Sequence, residues 1–338
     1  MEQIATVLSH YELYPFEIHQ KTDRLYRVST QHGEVAVKRT NRTKLELHDW
    51  LEAYKTANAQ QIRTLIPLYL TTDHQFFVEH ERSTYYVMPW YENEGRDTPP
   101  YPFELFYKSI GGVHKSTLEA HKFELSDAEE EVKKQKEKVD GYYKQLEEWI
   151  VEFEQNHYMS PLELQVCTHF RDLIQCLTLT QEWYDRYLED IETDKVNRVV
   201  LGHGNLRPSH FIYNADQPYL LNWERASVQQ PVRDLTTYFH YVTRYHDAPT
   251  DQLIGTFSHY EDYVPLLNSE RSLFAIYLLN PEHYLTIVEQ YVTGAPNVGH
   301  PILVQRLERS YFVLKHALVV QKALEEARDY HISKENED

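Results

Sequence analysis

Three short segments carry the side chains whose types and spacing could do chemistry. Val35-Ala-Val-Lys38-Arg39 sets a lysine in a β-branched run, so its ammonium would project from a strand. Leu201-Gly-His-Gly-Asn-Leu-Arg-Pro-Ser-His210 gathers His203, Asn205 and His210 into one loop, ahead of the apolar Phe211-Ile-Tyr-Asn214. Tyr219-Leu-Leu-Asn-Trp-Glu-Arg-Ala226 then presents Asn222, Trp223 and Glu224 in succession. A strand lysine could meet phosphates, but phosphoryl transfer also needs a carboxylate partner, a base, and oxygen ligands for magnesium. The residue types fit that chemistry poorly. Asn205 is an amide and accepts no proton near neutrality. Neutral imidazole at His210 is a poor ligand for magnesium, which prefers hard oxygens. Asn222, seventeen positions after Asn205, offers an amide oxygen without net charge. No metal site is expected, because the 19 histidines are scattered and no His-x-x-x-His or Cys-x-x-Cys spacing occurs. Chelation of a transition metal by His203 and His210 is the one local alternative, if their loop folds that way.

The elements that must position these groups follow from hydrophobic periodicity. Phe16–Gln20, Leu25–Ser29 and Val35–Arg39 read as strands, with Lys21-Thr-Asp-Arg24 and Gln31-His-Gly-Glu34 as turns. A helix is predicted over Thr43–Ala59, with Leu47, Trp50, Leu51 and Tyr54 on one face, then strands at Phe76–His80 and Tyr85–Trp90. Beyond Tyr101 helix dominates: Phe106–Ser116, Leu125–Trp149, Leu162–Asp190, Asp234–His246, Ser269–Leu279, Pro281–Thr293 and Pro301–Arg328. The tail His331–Asp338 is polar and is expected to fray. Asp127–Val139 leads with acids and follows with lysines, which favours helix and reads as a solvated face. The fold class expected is α+β. A five-stranded antiparallel sheet with one helix occupies residues 1–90, and a larger helical part occupies 91–338, with an acidic helical insert at about 121–198 and the loop region at 201–226.

These segments resemble the aminoglycoside phosphotransferase/choline kinase-like branch of the protein-kinase fold, which reads His-Gly-Asp-Leu-His-x-x-Asn, an apolar strand, then Ile-Asp-Trp-Glu. The resemblance implies a two-lobed kinase-like fold. It makes Lys38 the phosphate lysine, with Glu46 or Glu52 as the candidate carboxylate partner. These two are six residues apart and on different helix faces, so at most one can serve. Met88-Pro-Trp90-Tyr91 falls where the family has its hinge, so Met88 and Trp90 would line a nucleotide cleft. Asn205, His210 and Asn222 stand at the base and metal positions as degenerate residues, and no catalytic residue is expected. His203, Trp223, Glu224 and Asp234 match structural positions of the motif, Asp234 as an acceptor of backbone N–H groups. Lys38, Asn205, His210 and Asn222 should therefore converge on the cleft between the lobes. The glycine-free Lys21–Arg24 turn departs from a phosphate-covering loop.

The hinge, the acidic insert and Leu220-Leu-Asn-Trp-Glu-Arg-Ala-Ser227 are most similar to the CotS family of Bacillus-type spore coat proteins. That resemblance implies a sporulation protein made in the mother-cell cytoplasm and deposited on the spore coat, with other coat proteins as partners. It implies a pseudokinase with no cofactor. ATP with magnesium enters only under the alternatives, an active small-molecule kinase or a nucleotide-binding sensor.

Composition sets the outer bounds. With 52 acidic against 34 basic side chains the net charge is -18, which argues against binding nucleic acid or anionic membrane. Neither a basic leader with an apolar core nor an apolar run of membrane length is present, so no signal peptide and no membrane span are expected. The 27 tyrosines suit sticky packing surfaces or an ordinary core equally. Cys167 and Cys176 are read as two buried thiols, their helical separation placing them too far apart for a mutual disulfide.

Overall fold

The computed structural model describes residues 2–42, 46–92, 103–122, 125–214, 217–294 and 298–335. Its first element is a helix, α1 (Glu2–Ser9), which buries Ile4, Val7 and Leu8. The sequence reading gives no helix here, because two turns are too short for three- and four-residue spacing to stand out. Strands β1 (Pro15–Gln20), β2 (Leu25–Thr30) and β3 (Gly33–Thr40) follow, then α2 (His48–Ala59), β4 (Val78–His80) and β5 (Ser83–Pro89). They form the expected five-stranded antiparallel sheet, in the order β1-β2-β3-β5-β4. Among the described residues up to 90, two helices rather than one accompany it. The predicted helix over Thr43–Ala59 starts at His48, residues 43–45 lying outside the described ones, and β4 starts at Val78 rather than Phe76.

Strand periodicity decides which side chains face which way. Val35 and Val37 on β3 and Tyr85 and Val87 on β5 are buried in one cluster with Val7 and Leu8 of α1. In β3, Lys38 alternates with Val37 and so points to the opposite face, where β5 places Tyr86 directly across from it. Trp50 of α2 covers that face, its ring 5.1 Å from the Tyr86 ring.

The chain continues through α3 (Phe103–Thr117), β6 (Glu119–Lys122), α4 (Leu125–Glu154), α5 (Pro161–Asp194) and β7 (Val196–Gly202). A 3-10 turn (Pro208–His210) leads into the antiparallel hairpin of β8 (Phe211–Asn214) and β9 (Gln217–Leu220), then β10 (Ser227–Gln229). Helices α6 (Pro231–Val242), α7 (Thr250–Gly255), α8 (Ser258–Glu261), α9 (Asn268–Leu279), α10 (Glu282–Val292) and α11 (His300–Glu335) complete it. Packing divides the chain by contact rather than by order. One unit holds residues 1–117, 201–205 and 209–229; the other holds 118–200, 206–208 and 230–338. The division expected at residue 90 follows chain order; by packing, α3 and most of the 203–226 region stand with the sheet.

In the helical unit the 34-residue α5 is the centre, packed by α4, α9 and α11 and burying Val166, Leu173, Leu177 and Trp183. Its start is a capping box: Ser160 Oγ accepts from Glu163 N at 3.2 Å, and Glu163 Oε2 accepts from Ser160 N at 2.6 Å. Tyr291 also donates to Ser160 Oγ. Ser160→Ala is expected to cost about 1–2 kcal/mol, read as a lower urea midpoint with unchanged slope. The α4 lysines are not purely solvated, since Lys136 reaches Asp185 at 2.7 Å and Lys138 reaches Glu282 at 2.8 Å.

The expected fraying of His331–Asp338 is corrected: α11 stays helical to Glu335, and residues 336–338 lie outside the described ones. Buried polar contacts hold its end. Arg328 ion-pairs with Asp190 at 2.7 Å, Ser272 donates to the same carboxylate, and His331 Nε2 lies 3.2 Å from Arg271 Nη2. Both cysteines are free; Cys176 is buried, whereas Cys167 is half-buried rather than buried as read from the sequence. Among the described residues no helix is long and apolar enough to cross a membrane.

Candidate functional site

The candidate site lies inside the sheet-bearing unit, where β3 meets the segment after β9. Lys38 Nζ donates to Asn222 Oδ1 and sits 2.6 Å from Glu224 Oε1. Tyr86 donates its hydroxyl proton to the same Glu224 oxygen at 2.6 Å. The Lys38 and Glu224 side chains are 17% and 12% exposed, so water screens the pair little and each charge depends on the other. Burial pushes the Glu224 carboxyl up. The Lys38 charge, with hydrogen bonds from Lys38, Tyr86 and its own backbone, more than reverses this and leaves it below the usual glutamate range. Burial, then the Glu224 charge, pushes the Tyr86 phenol well above its ordinary value. At neutral pH the group is therefore an ionised carboxylate held by an ammonium and a phenolic donor.

The loop is built around His203, which is fully buried. Its Nε2 donates to Leu221 O at 2.7 Å, while its Nδ1 accepts from Asn205 N at 3.3 Å. These two bonds define the Nε2–H tautomer. The ring also stacks against His210 and packs at a tilt against Trp223, at 5.4 and 4.7 Å between centroids. Leu221 N donates to His210 O at 2.8 Å, so the segment carrying Asn222 is tied to the loop from both sides. Gly204 has φ +72°, and a Cβ there would lie 2.1 Å from Arg225 O, so only glycine fits. Asn222 has φ +67°, a left-handed conformation that asparagine and aspartate tolerate best. Trp223 Nε1 donates to Leu220 O at 2.8 Å, closing the turn.

Lys38, Asn222 and Glu224 thus touch directly, and Asn205 and His210 join them through His203 and the Leu221 backbone. Asp234 is fully buried in the first turn of α6, in the helical unit. Met88 is buried in β5 opposite Ala36. Trp90 N donates to Glu34 O at 3.1 Å, and its ring lies under the Arg27 guanidinium at 5.2 Å. The glycine-free turn closes without glycine, Lys21 N and Thr22 N donating to Leu25 O and Arg24 N to Thr22 Oγ1.

No protein-family model matches the chain, and no curated protein matches it. Solved structures do. An aminoglycoside phosphotransferase from Alicyclobacillus acidocaldarius subsp. acidocaldarius is 14% identical, with 96% of each chain covered and a TM-score of 0.74. A spectinomycin phosphotransferase in its AMP-bound complex is 10% identical, covering 94% of this chain and 98% of its own, with a TM-score of 0.63. A microcompartment-associated aminopropanol kinase is 9% identical, covering 94% and 95%, with a TM-score of 0.56. The fold is that of the aminoglycoside phosphotransferases. At these identities the likeness establishes the fold and not the substrate.

Within this aminoglycoside phosphotransferase-like fold the lysine's partner needs correction. The carboxylate that meets Lys38 is Glu224, read from the sequence as structural, rather than Glu46 or Glu52. Glu52 is half-exposed and pairs with Lys55 at 2.7 Å; Glu46 is exposed in the turn ahead of α2. The change of partner is tertiary in origin, since residues 186 positions apart meet only when the β9 segment folds against β3 (224 − 38). Its one sequence signal is that Glu224 stands two residues after Asn222.

The donor set does not fit magnesium and a polyphosphate. The carboxylate that shares Lys38 with Asn222, Glu224, is neutralised by that lysine, and the Asn222 oxygen already accepts from it. Among the described residues no three His, Cys, Asp or Glu are placed to hold a metal ion.

Proposed function

We propose that this chain is a catalytically silent kinase-fold protein that serves as a structural or interaction protein of the bacterial endospore coat. The observation that carries the silent half is the closed Lys38–Asn222–Glu224 group. The ammonium that would meet phosphates has a buried internal carboxylate as counter-ion, and neither position 205 nor 222 supplies an acid. The coat half is supported by the CotS-like motifs, and the tyrosine-rich composition is compatible with it.

A second reading is an active small-molecule kinase or a nucleotide-binding sensor. The observation favouring it is that the similar solved structures, matched over 94–96% of this chain, are those of phosphotransferases and a kinase. Calorimetric titration with ATP, with and without Mg²⁺ or Mn²⁺, separates the two. The scaffold reading expects no binding heat and no phosphate transfer to aminoglycosides or amino alcohols. Metal-independent binding without turnover supports the sensor, and metal-dependent turnover supports the kinase. Immunogold labelling of spores, with the protein absent from the coat layer, would overturn the coat assignment separately.

A further inference from the structure

A cavity of about 540 Å³ lies within the sheet-bearing unit, bounded by the end of α2, the segment 61–70 and β9. Its volume is that of a small-molecule site, for which about 300–1,000 Å³ is usual. Lys38, Asn222 and Glu224 do not line it. Its apolar surface comes from Tyr54, Phe76 and Tyr219, with Ile62, Leu65 and Leu68 beside them. Asn58, Gln61 and Gln217 add neutral amides.

The charge of this lining is opposite to that of the chain. In a protein with 52 acidic side chains, none of the described lining residues is Asp or Glu, and the one charged group among them is Arg63. Arg63 is exposed, and no described residue bonds it. A cationic ligand would find no counter-charge among the described lining residues. A polyphosphate would bring several charges to a single guanidinium. One carboxylate matches it, and the planar fork of arginine binds a carboxylate bidentately.

The walls are formed in advance. Tyr219 stacks on Tyr91 with centroids 4.7 Å apart, and Tyr54 meets Trp50 edge-on at 5.5 Å. Leu220 N donates to Thr64 O at 2.7 Å, and Ile66 N returns to Leu220 O, fixing β9 against the 61–70 segment. A rigid aromatic wall lowers the ordering cost of binding a rigid aromatic ligand.

We propose that this cavity binds a small aromatic monocarboxylate, its ring against Tyr54, Phe76 and Tyr219 and its carboxylate on Arg63. The site goes beyond the reading of the Lys38 group and does not depend on it. The test is calorimetric titration of the full chain with naphthylacetate, using the uncharged naphthylacetamide as a control of equal shape. The acid is expected to bind saturably at one site, about tenfold tighter than the amide, because the amide lacks the charge-assisted pair. Arg63→Glu is expected to weaken the acid by more than about tenfold and to leave the amide unchanged. It should keep the wild-type melting temperature, since Arg63 is exposed and bonded by no described residue. Leu70→Trp, at an exposed lining position, should block both ligands by filling the cavity. Equal affinity for acid and amide, undiminished acid binding in Arg63→Glu, undiminished binding in Leu70→Trp, or no binding of the acid would each overturn the proposal. Nucleotide takes no part in these titrations, so their failure is distinct from failure of the silent-kinase reading.

Discussion

Glu224→Ala is expected to destabilise the protein by roughly 3–5 kcal/mol, the cost of stranding one charge of a buried pair. The substitution leaves the Lys38 ammonium largely desolvated beside Asn222 alone and removes the acceptor of the Tyr86 hydroxyl. Glu224→Gln keeps an acceptor oxygen for Tyr86 and loses only the charge, so its loss should be smaller. Combining Lys38→Met with Glu224→Gln should recover much of what either single change costs, because no uncompensated charge then remains. Urea denaturation of wild type, Lys38→Met, Glu224→Gln and the double variant measures this, and additive losses would refute the coupling. The pH dependence follows in sign. The folded-state Glu224 pKa lies below its ordinary 4.5, so its contribution is fully present above that value. It is lost as pH falls from there through the depressed folded value. In Glu224→Gln the stability curve below about pH 4.5 should flatten relative to wild type.

The second large effect concerns the positions at which the resemblance expects acids and a metal-binding amide. The triple variant Asn205→Asp, His210→Asn, Asn222→Asp is expected to acquire magnesium-dependent ATP binding that is not expected of the unmodified protein. A restored base would then add roughly 10²–10⁴ in rate to any turnover. The backbone permits this: Asn222 sits at φ +67°, which aspartate tolerates as asparagine does, and Gly204 keeps the loop free of a clash. A new carboxylate at 222 would give Lys38 a second anionic neighbour and give magnesium a ligand that Glu224, occupied by Lys38, does not provide. Calorimetry with and without Mg²⁺ reads the gain. Turnover by the unmodified protein at kinase-like rates, about 1–100 per second, abolished by Lys38→Ala, would falsify the silent reading.

The sheet was legible because its strands alternate: Val35 and Val37 against Lys38, and Tyr85 and Val87 against Tyr86, carry the period of two that defines a face. The long helices were legible for the same reason at their own period, whereas the capping box Ser160-Pro-Leu-Glu163 that sets where α5 begins was not read, and that helix was expected only from Leu162. Short elements were not. α1 offers only Ile4, Val7 and Leu8, and α7 and α8 have six and four residues, too few for a pattern. The persistence of α11 past Arg328 was hidden because it rests on Asp190 and Ser272, far away in sequence.

For the candidate site, the residue types alone determine that positions 205, 210 and 222 carry no carboxylate, a statement about side-chain chemistry that no folding can change. Sequence order also places Lys38 on a strand and His203 in a loop, since both follow from local pattern. Which carboxylate neutralises Lys38 was decided by the tertiary structure. Glu46 and Glu52 are nearer along the chain, yet β3 and the turn after β9 bring Glu224 to 2.6 Å. Ion pairing falls off with distance in space, whatever the separation along the chain. The Arg63 cavity has the same origin, because its aromatic wall is assembled from α2, residue 76 and β9 and no single segment contains it.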